Sequence, residues 1–189
     1  MSLLAKNIAD SLATIESLHT LEPELVRAAE LVRNSLLAGG KLLVCGNGGS
    51  AADGADFSTE YSCRFMGDRP PFPALNLAQG GSLVTAIGND YGYDDVFARQ
   101  VWAFGKPGDV LVAITTSGNS KNIERALAEA KVRGLHTIAL LGKSGGICKD
   151  MADVELLVRS EITARIQEAH KFLLHTLCEL VEPALKSQG

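Results

Sequence analysis

The same ordered pattern occurs twice in this sequence: a short apolar run, a turn rich in glycine, serine and threonine, and a helix-forming stretch without proline. The three parts lie at 41–45, 46–50 and 51–65 in the first copy, and at 110–114, 115–120 and 122–133 in the second. Short apolar runs bounded by turn residues are typical of strands buried on both faces. Strands that alternate with helices of about 10 to 15 residues connect by right-handed crossovers into a parallel sheet. The pattern therefore predicts an α/β protein.

Other segments extend this alternation in both directions along the chain. Residues 2–38 have the apolar spacing of two helices, interrupted near Pro23. Further strands are predicted at 74–77, 136–141 and 154–158, and further helices at 82–87, 94–104 and 163–185. We expect a three-layer α/β/α sandwich with a mostly parallel sheet. All 189 residues are predicted to form one domain, with a helical segment at 1–38 and an α/β core at 39–189.

The net charge and the hydropathy of the chain indicate which partners it can attract and where it is located. The net charge is −4 and the isoelectric point is near 5.6, so no overall attraction to nucleic acid or to anionic lipid is expected. No apolar run approaches the roughly 18 residues of a membrane-spanning helix. The first ten residues lack the apolar core of a secretory signal. We expect a cytoplasmic protein that binds neither nucleic acid nor membranes.

The four cysteines are widely and irregularly spaced and form no CxxC motif. This spacing favours neither a disulfide framework nor a zinc knuckle. Free cysteine behaves as a small apolar residue and is often buried. All four are therefore predicted to be buried, reduced thiols.

The two polar turns are candidates for binding a phosphate group. Each follows a predicted strand and precedes a helix, where free backbone N–H groups and the positive end of the helix dipole favour an anion. Hydroxyl groups that can donate to phosphate oxygens are available at Ser50, Thr115, Thr116, Ser117 and Ser120. Neither turn matches a Walker A or GxGxxG pattern, which disfavours ATP hydrolysis and a nicotinamide dinucleotide. The alternative is that both are simple connecting turns.

Acidic and histidine side chains on two predicted helices could carry acid–base chemistry. Asp56 and Glu60 are four residues apart and project from one helix face, although two acids at this spacing commonly lie on a solvated surface. The last helix carries Gln167, His170 and His175. At 100° per residue, either histidine can share a face with Gln167, so periodicity leaves that choice open.

Five separated segments resemble one family. Residues 45–53, 86–92, 97–101, 116–120 and 164–170 are similar, in order, to the phosphoheptose isomerases of the sugar isomerase (SIS) fold. The resemblance implies a homotetramer held partly by the N-terminal helices, with active sites between subunits. It also implies conversion of sedoheptulose 7-phosphate to D-glycero-D-manno-heptose 7-phosphate, for bacterial lipopolysaccharide or surface glycan synthesis. Such an isomerisation moves a proton between adjacent carbons through an enediol.

The resemblance assigns roles to individual residues. Glu60 and His175 match the catalytic pair, and which of them takes the first proton stays open. Gln167 matches a residue that contacts both metal and substrate, whereas His170 is expected to be structural. The other positions that match substrate-binding residues are Asn47, Gly48, Gly49, Ser50, Arg64, Asn89, Asp90, Thr115, Thr116, Ser117 and Ser120.

The chain departs from the family at one position of the implied zinc site. The family places a histidine four residues before the glutamate, and this chain has Asp56 there. Aspartate can ligate zinc through oxygen, but loss of an imidazole weakens the site or shifts it toward harder metals. We expect a weakened site for one Zn²⁺ per subunit, formed by Asp56, Glu60, Gln167 and His175.

Three other functions remain open at this point. A relative of the family is a tetrameric regulator of replication initiation that binds a protein, but its pattern lacks the glutamate and the final histidine that this chain retains. A phosphosugar sensor without catalysis is the second alternative. Asp56 could also indicate an isomerase that acts on a related phosphosugar.

Overall fold

A computed structural model of the chain describes residues 1–187. Its centre is one sheet of five parallel strands in the order β2-β1-β3-β4-β5. The strands are β1 (Leu42–Gly46), β2 (Ala74–Asn76), β3 (Val110–Thr115), β4 (His136–Gly142) and β5 (Val154–Val158). The helices are α1 (Leu3–Ser17), α2 (Glu22–Leu37), α3 (Gly49–Ser62), α4 (Ser82–Tyr91), α5 (Ala98–Phe104), α6 (Lys121–Val132) and α7 (Thr163–Lys186).

The sheet is covered by helices on both faces because alternate strand residues point to opposite sides. On one face, Val112 and Ile114 are buried in a core with residues of α2, α3 and α7. On the other, Leu111 and Ala113 are buried in a core with residues of α5 and α6. Every residue of β1 and β3 is buried. The predicted three-layer α/β/α sandwich with a parallel sheet is confirmed.

Three predicted helices differ from the structure. The helix expected at 82–87 continues to Tyr91 as α4. The helix expected at 94–104 begins only at Ala98, since a short 3₁₀ turn at Tyr93–Asp95 precedes it and Val96 and Phe97 turn into the core. The helix expected at 51–65 is α3, which begins and ends earlier, at Gly49–Ser62. It ends there because Arg69 Nη1 and the Phe72 amide both donate to the Tyr61 carbonyl, each at 3.0 Å.

This early end of α3 also corrects one prediction about the cysteines. Cys45, Cys148 and Cys178 are buried, and all four thiols are free, as the sequence predicted. Cys63 is exposed instead, because it follows the last residue of α3 and its backbone has left the helical conformation. No helix within residues 1–187 is both long and apolar enough to cross a bilayer.

Candidate active site

The two polar turns lie side by side at the carboxyl edge of the sheet. β1 and β3 are neighbours, and the strand order reverses between them, since β2 lies beyond β1 and β4 lies beyond β3. In open parallel sheets, ligands bind in the crevice at such a switch point. Gly49 begins α3 after β1, and Lys121 begins α6 after β3. The crevice therefore has two helix N-termini facing it, on opposite faces of the sheet.

The first turn is held by an amide pair that the sequence analysis missed. Asn47 Nδ2 donates to Asn122 Oδ1 and Asn122 Nδ2 donates to Asn47 Oδ1, both at 2.9 Å. The Tyr93 hydroxyl also donates to Asn47 Oδ1, at 3.0 Å. These bonds occupy the side chain of Asn47 within the protein, so it shapes the turn. No sequence spacing links Asn47 to Asn122 or Tyr93; only the pairing of β1 with β3 brings α6 to this turn.

In the second turn, two of the predicted hydroxyls organise the backbone. Thr115 Oγ1 accepts a hydrogen bond from the Gly118 amide at 3.2 Å and lies 3.2 Å from Ser120 Oγ. Ser117 Oγ accepts from the Asn119 amide at 3.1 Å. A hydroxyl that accepts a hydrogen bond keeps its own hydrogen for donation. Ser117 and Ser120 are half-buried and remain accessible to a ligand at the crevice.

A second loop, at 145–148, packs against this turn and hydrogen-bonds to it. Asn119 Oδ1 accepts from the Ile147 amide at 3.2 Å, and the Gly118 carbonyl accepts from the Cys148 amide at 3.0 Å. Gly118 has φ +67°, and a methyl group added to it would overlap the Gly145 carbonyl. No role was predicted for this loop. Its contacts depend on the pairing of β3 with β4, which local sequence does not show.

Helices α3 and α7 form the wall beside the crevice. The Gln167 carboxamide lies against Gly49, where an added methyl group would overlap its Nε2 atom. One turn further along α7, Lys171 Nζ lies 2.5 Å from Asp56 Oδ2 and 3.1 Å from Asp53 Oδ1 of α3. Lys171 was not among the predicted site residues, although its spacing of four residues from Gln167 is visible in the sequence.

The structure separates the two histidines that periodicity left equivalent. His170 is fully buried, and its Nε2 lies 3.0 Å from the Leu141 carbonyl of β4. His175 is half-buried, and the centre of its ring is 5.9 Å from that of Phe65, just beyond α3. His170 therefore packs into the core, and His175 lies on the α3 side of the helix. Glu60 is half-buried near the end of α3.

We predict that His170 makes the stability of the protein sensitive to acid. Burial lowers its pKa to about 4 from 6.5, although the Leu141 carbonyl and the charge of Asp53 act in the opposite direction. The unfolded chain then binds more protons than the folded chain, so stability falls as the pH falls from about 6.5 to about 4. This residue contributes a loss of about 3 kcal/mol across that window. Urea unfolding between pH 7 and pH 4 measures it, and an equally steep decline in His170→Gln would contradict the assignment.

Three predicted substrate residues lie at the surface of the chain. Asn89 and Asp90, in the last turn of α4, are exposed, and Asn89 Nδ2 donates to Asp90 Oδ1 at 2.8 Å. Arg64 is exposed in the segment that follows α3. None of the hydrogen bonds found in residues 1–187 joins these side chains to the two turns. Their predicted contact with substrate stays a prediction.

The residues expected to bind zinc do not fit that ion as they are arranged. The Asp56 carboxylate is already paired with the Lys171 ammonium. Across the described residues, no three histidine, cysteine, aspartate or glutamate side chains converge as a metal site would require. A divalent ion would also approach an ammonium group, and two positive charges about 4 Å apart repel. No step of the reaction proposed for this chain therefore depends on zinc.

Comparison with known proteins identifies the family. Residues 5–142 match the model of the SIS domain. The chain is 45% identical to a phosphoheptose isomerase of Shewanella baltica over 177 residues, 92% of this chain and 90% of that protein. The solved phosphoheptose isomerase of Neisseria gonorrhoeae is 44% identical, covering 95% of this chain and 97% of its own, with a TM-score of 0.87. That of Francisella tularensis is 38% identical, covering 97% and 100%, with a TM-score of 0.92. The chain therefore belongs to the SIS domain family and, within it, to the phosphoheptose isomerases.

Proposed function

We propose that this protein isomerises sedoheptulose 7-phosphate to D-glycero-D-manno-heptose 7-phosphate. The observation that carries the proposal is the placement of the two polar turns at the switch point, beside the α3–α7 wall with Glu60 and His175. The names of the similar proteins support the same reaction. The alternative of a replication-regulating binding protein is not favoured. Retention of both Glu60 and His175 fits catalysis better than sensing alone.

The substrate is oriented by its phosphate. We place the phosphate at the second turn, where Ser117, Ser120 and Thr116 offer hydroxyl donors and α6 presents its N-terminus. Gly48 of the first turn has φ +55° and no side chain, so the backbone of that turn can lie close to the sugar. This placement directs C1 and C2 of the ketose toward the α3–α7 wall.

Glu60 and His175 then divide the proton transfers. One of them removes a proton from C1, and the electron pair of that C–H bond forms the C1=C2 double bond while the carbonyl pair moves to O2. The other group donates a proton to O2, which gives the enediol. It then accepts the proton of O1 as the C1 carbonyl forms, and the first group delivers its proton to C2, which completes the aldose and returns both groups to their starting states. The half-buried positions of both side chains suit groups that must exchange protons with a bound sugar.

Turnover of sedoheptulose 7-phosphate by the purified protein, followed by NMR, tests the proposed function. We expect the signals of the manno-heptose 7-phosphate to appear at a rate proportional to enzyme concentration. Absence of that product with and without added zinc, from folded protein, would overturn the proposal. Other phosphosugars, tested in parallel, would then show whether Asp56 accompanies a different substrate.

We propose a homotetramer whose interfaces include the N-terminal helix. Leu3, Leu4, Ile8 and Leu12 of α1 are each at least half exposed, an apolar face that water disfavours. An apolar cavity of about 330 Å³ lies between α1, α2 and α7. A partner helix that covers these surfaces would also bring exposed groups such as Arg64 toward a neighbouring site.

We therefore predict a light-scattering mass near four times 20.0 kDa. Ile8→Glu with Leu12→Glu should lower that mass, because two charges would then be buried in the interface. A monomeric mass for the unmodified protein would contradict the proposed assembly. The matched control is Lys6→Glu, which changes charge on the same helix at an exposed polar position.

A further inference from the structure

Lys171 lies at the centre of the surface that α7 presents to α3. It is four residues from Gln167 and four from His175, so all three side chains share one face of the helix. On α3, its partner Asp56 precedes Glu60 by one turn, about 6 Å along the helix axis. Lys171 is therefore one helical turn from Gln167 and from His175, and its partner Asp56 is one turn from Glu60.

The charge of this lysine is secured by two carboxylates. Its side chain is 29% exposed, whereas that of Asp53 is 13% exposed. Partial burial lowers the pKa of Lys171, but the hydrogen bonds with Asp56 and Asp53 outweigh it, and the pKa is raised overall. Three N–H donors on an ammonium can serve two carboxylates and still leave one donor for another ligand. Among residues 1–187, no third partner takes up the remaining donor.

We infer that the Lys171 ammonium stabilises the negative charge that develops on O2 of the substrate, where a divalent metal ion would otherwise act. The inference rests on the proposed isomerase function and deepens it. When C1 loses its proton, the carbonyl electron pair moves to O2, and an N–H of Lys171 donates to that oxygen. No covalent bond to the lysine forms, and the proton removed from C1 stays on Glu60 or His175 until it is transferred.

The same geometry explains the substitution at position 56. An aspartate there neutralises and orients the ammonium, whereas a histidine would leave Lys171 with Asp53 as its carboxylate partner. A bound divalent ion would have to displace the ammonium from Asp56 and tolerate its positive charge nearby. Asp56 and Lys171 thus act as a pair that excludes the metal and supplies its charge.

The first test uses the unmodified protein, purified without chelator. We expect less than about a tenth of an equivalent of divalent metal per chain by mass spectrometry, no zinc binding by calorimetry in the micromolar range, and unchanged turnover in EDTA. Stoichiometric metal together with loss of turnover in EDTA would overturn the role of Lys171 and leave the isomerase function intact. Absence of turnover under both conditions would overturn both proposals.

The second test removes the ammonium. In Lys171→Met, kcat should fall by about 10²- to 10³-fold with KM changed by less than about threefold, since the donor acts on charge that develops in the transition state. Lys171→Met leaves the Asp56 carboxylate without its ammonium partner. The double variant Lys171→Met with Asp56→Asn removes that carboxylate charge too, and it should show the same loss of kcat with an unchanged melting temperature. Lys186→Met is the control, a lysine of the same helix that pairs with Glu182 at 3.3 Å. Near-normal kcat in both Lys171 variants would overturn the inference.

The third test restores a metal site. Asp56→His with Lys171→Met places an imidazole one turn before Glu60 and removes the competing charge. We expect this variant to bind about one zinc ion per chain and to lose its activity in EDTA. If it binds zinc no better than the unmodified protein, the claim that Asp56 and Lys171 exclude the metal is wrong.

Discussion

Glu60→Gln should reduce the turnover of sedoheptulose 7-phosphate by about 10²- to 10⁴-fold while leaving phosphosugar binding within a few-fold of normal. The amide keeps the size of the side chain but cannot accept a proton from carbon, and general acid–base groups contribute rate factors of that order. The phosphate turn is unchanged in this variant, so affinity should persist. NMR turnover and calorimetric binding of the substrate measure the two effects separately.

Glu129→Gln is the matched control for this prediction. Glu129 of α6 pairs at 2.7 Å with Arg133, the residue that follows the helix, and both side chains are partly exposed. Loss of such a surface pair changes stability by less than about 1 kcal/mol and should not change turnover. Turnover near normal in Glu60→Gln would remove Glu60 from the catalytic pair. Parallel loss of binding and turnover would instead assign it to substrate binding.

Gly118→Ala should weaken binding of the phosphate strongly and lower the melting temperature. Gly118 has φ +67°, and a methyl group would overlap the Gly145 carbonyl and lie 2.8 Å from the Gly146 amide nitrogen. Both obstacles are backbone atoms of the supporting loop, so the phosphate turn itself must shift. Each hydrogen bond to a charged group contributes about 1.5–3 kcal/mol. Loss of one or two of them should raise the dissociation constant of the phosphosugar about 10- to 10⁴-fold.

Gly39→Ala separates the steric overlap from the cost of the backbone conformation. Gly39 also has a positive φ, +84°, but no atom lies within 4 Å of an added methyl group. It should cost about 1–2 kcal/mol of stability, as for any alanine in the left-handed region, and leave phosphosugar affinity unchanged. Equal effects of the two substitutions on affinity would show that the supporting loop does not position the turn.

The layered fold could be read from the sequence because its signals are local. The apolar runs of β1 and β3 have no polar interruption, and the glycines that follow them mark where each strand ends. A strand buried on both faces requires that pattern wherever it lies in the sheet. The interruption before α5 was missed because burial of Val96 and Phe97 depends on packing against distant elements, which periodicity does not record.

The candidate site was only partly visible in the sequence. The two turns and the spacing of Asp56 with Glu60 are local features, and resemblance to the phosphoheptose isomerases supplied the roles. The groups that hold the turns were missed: Asn122 and Tyr93 on the first, and the 145–148 loop on the second. These contacts join parts of the chain that meet only after the strands have paired.

Local sequence therefore specified the order of strands and helices, the polar character of both turns and the absence of a histidine at position 56. Long-range packing determines which histidine turns into the core, and it pairs Asp56 with a lysine 115 residues away. Helical periodicity gives the direction of a side chain around the helix axis, but not which residue of another element it contacts. That neighbour depends on how α3 and α7 pack against the same sheet. The same packing sets the chemistry available to Lys171.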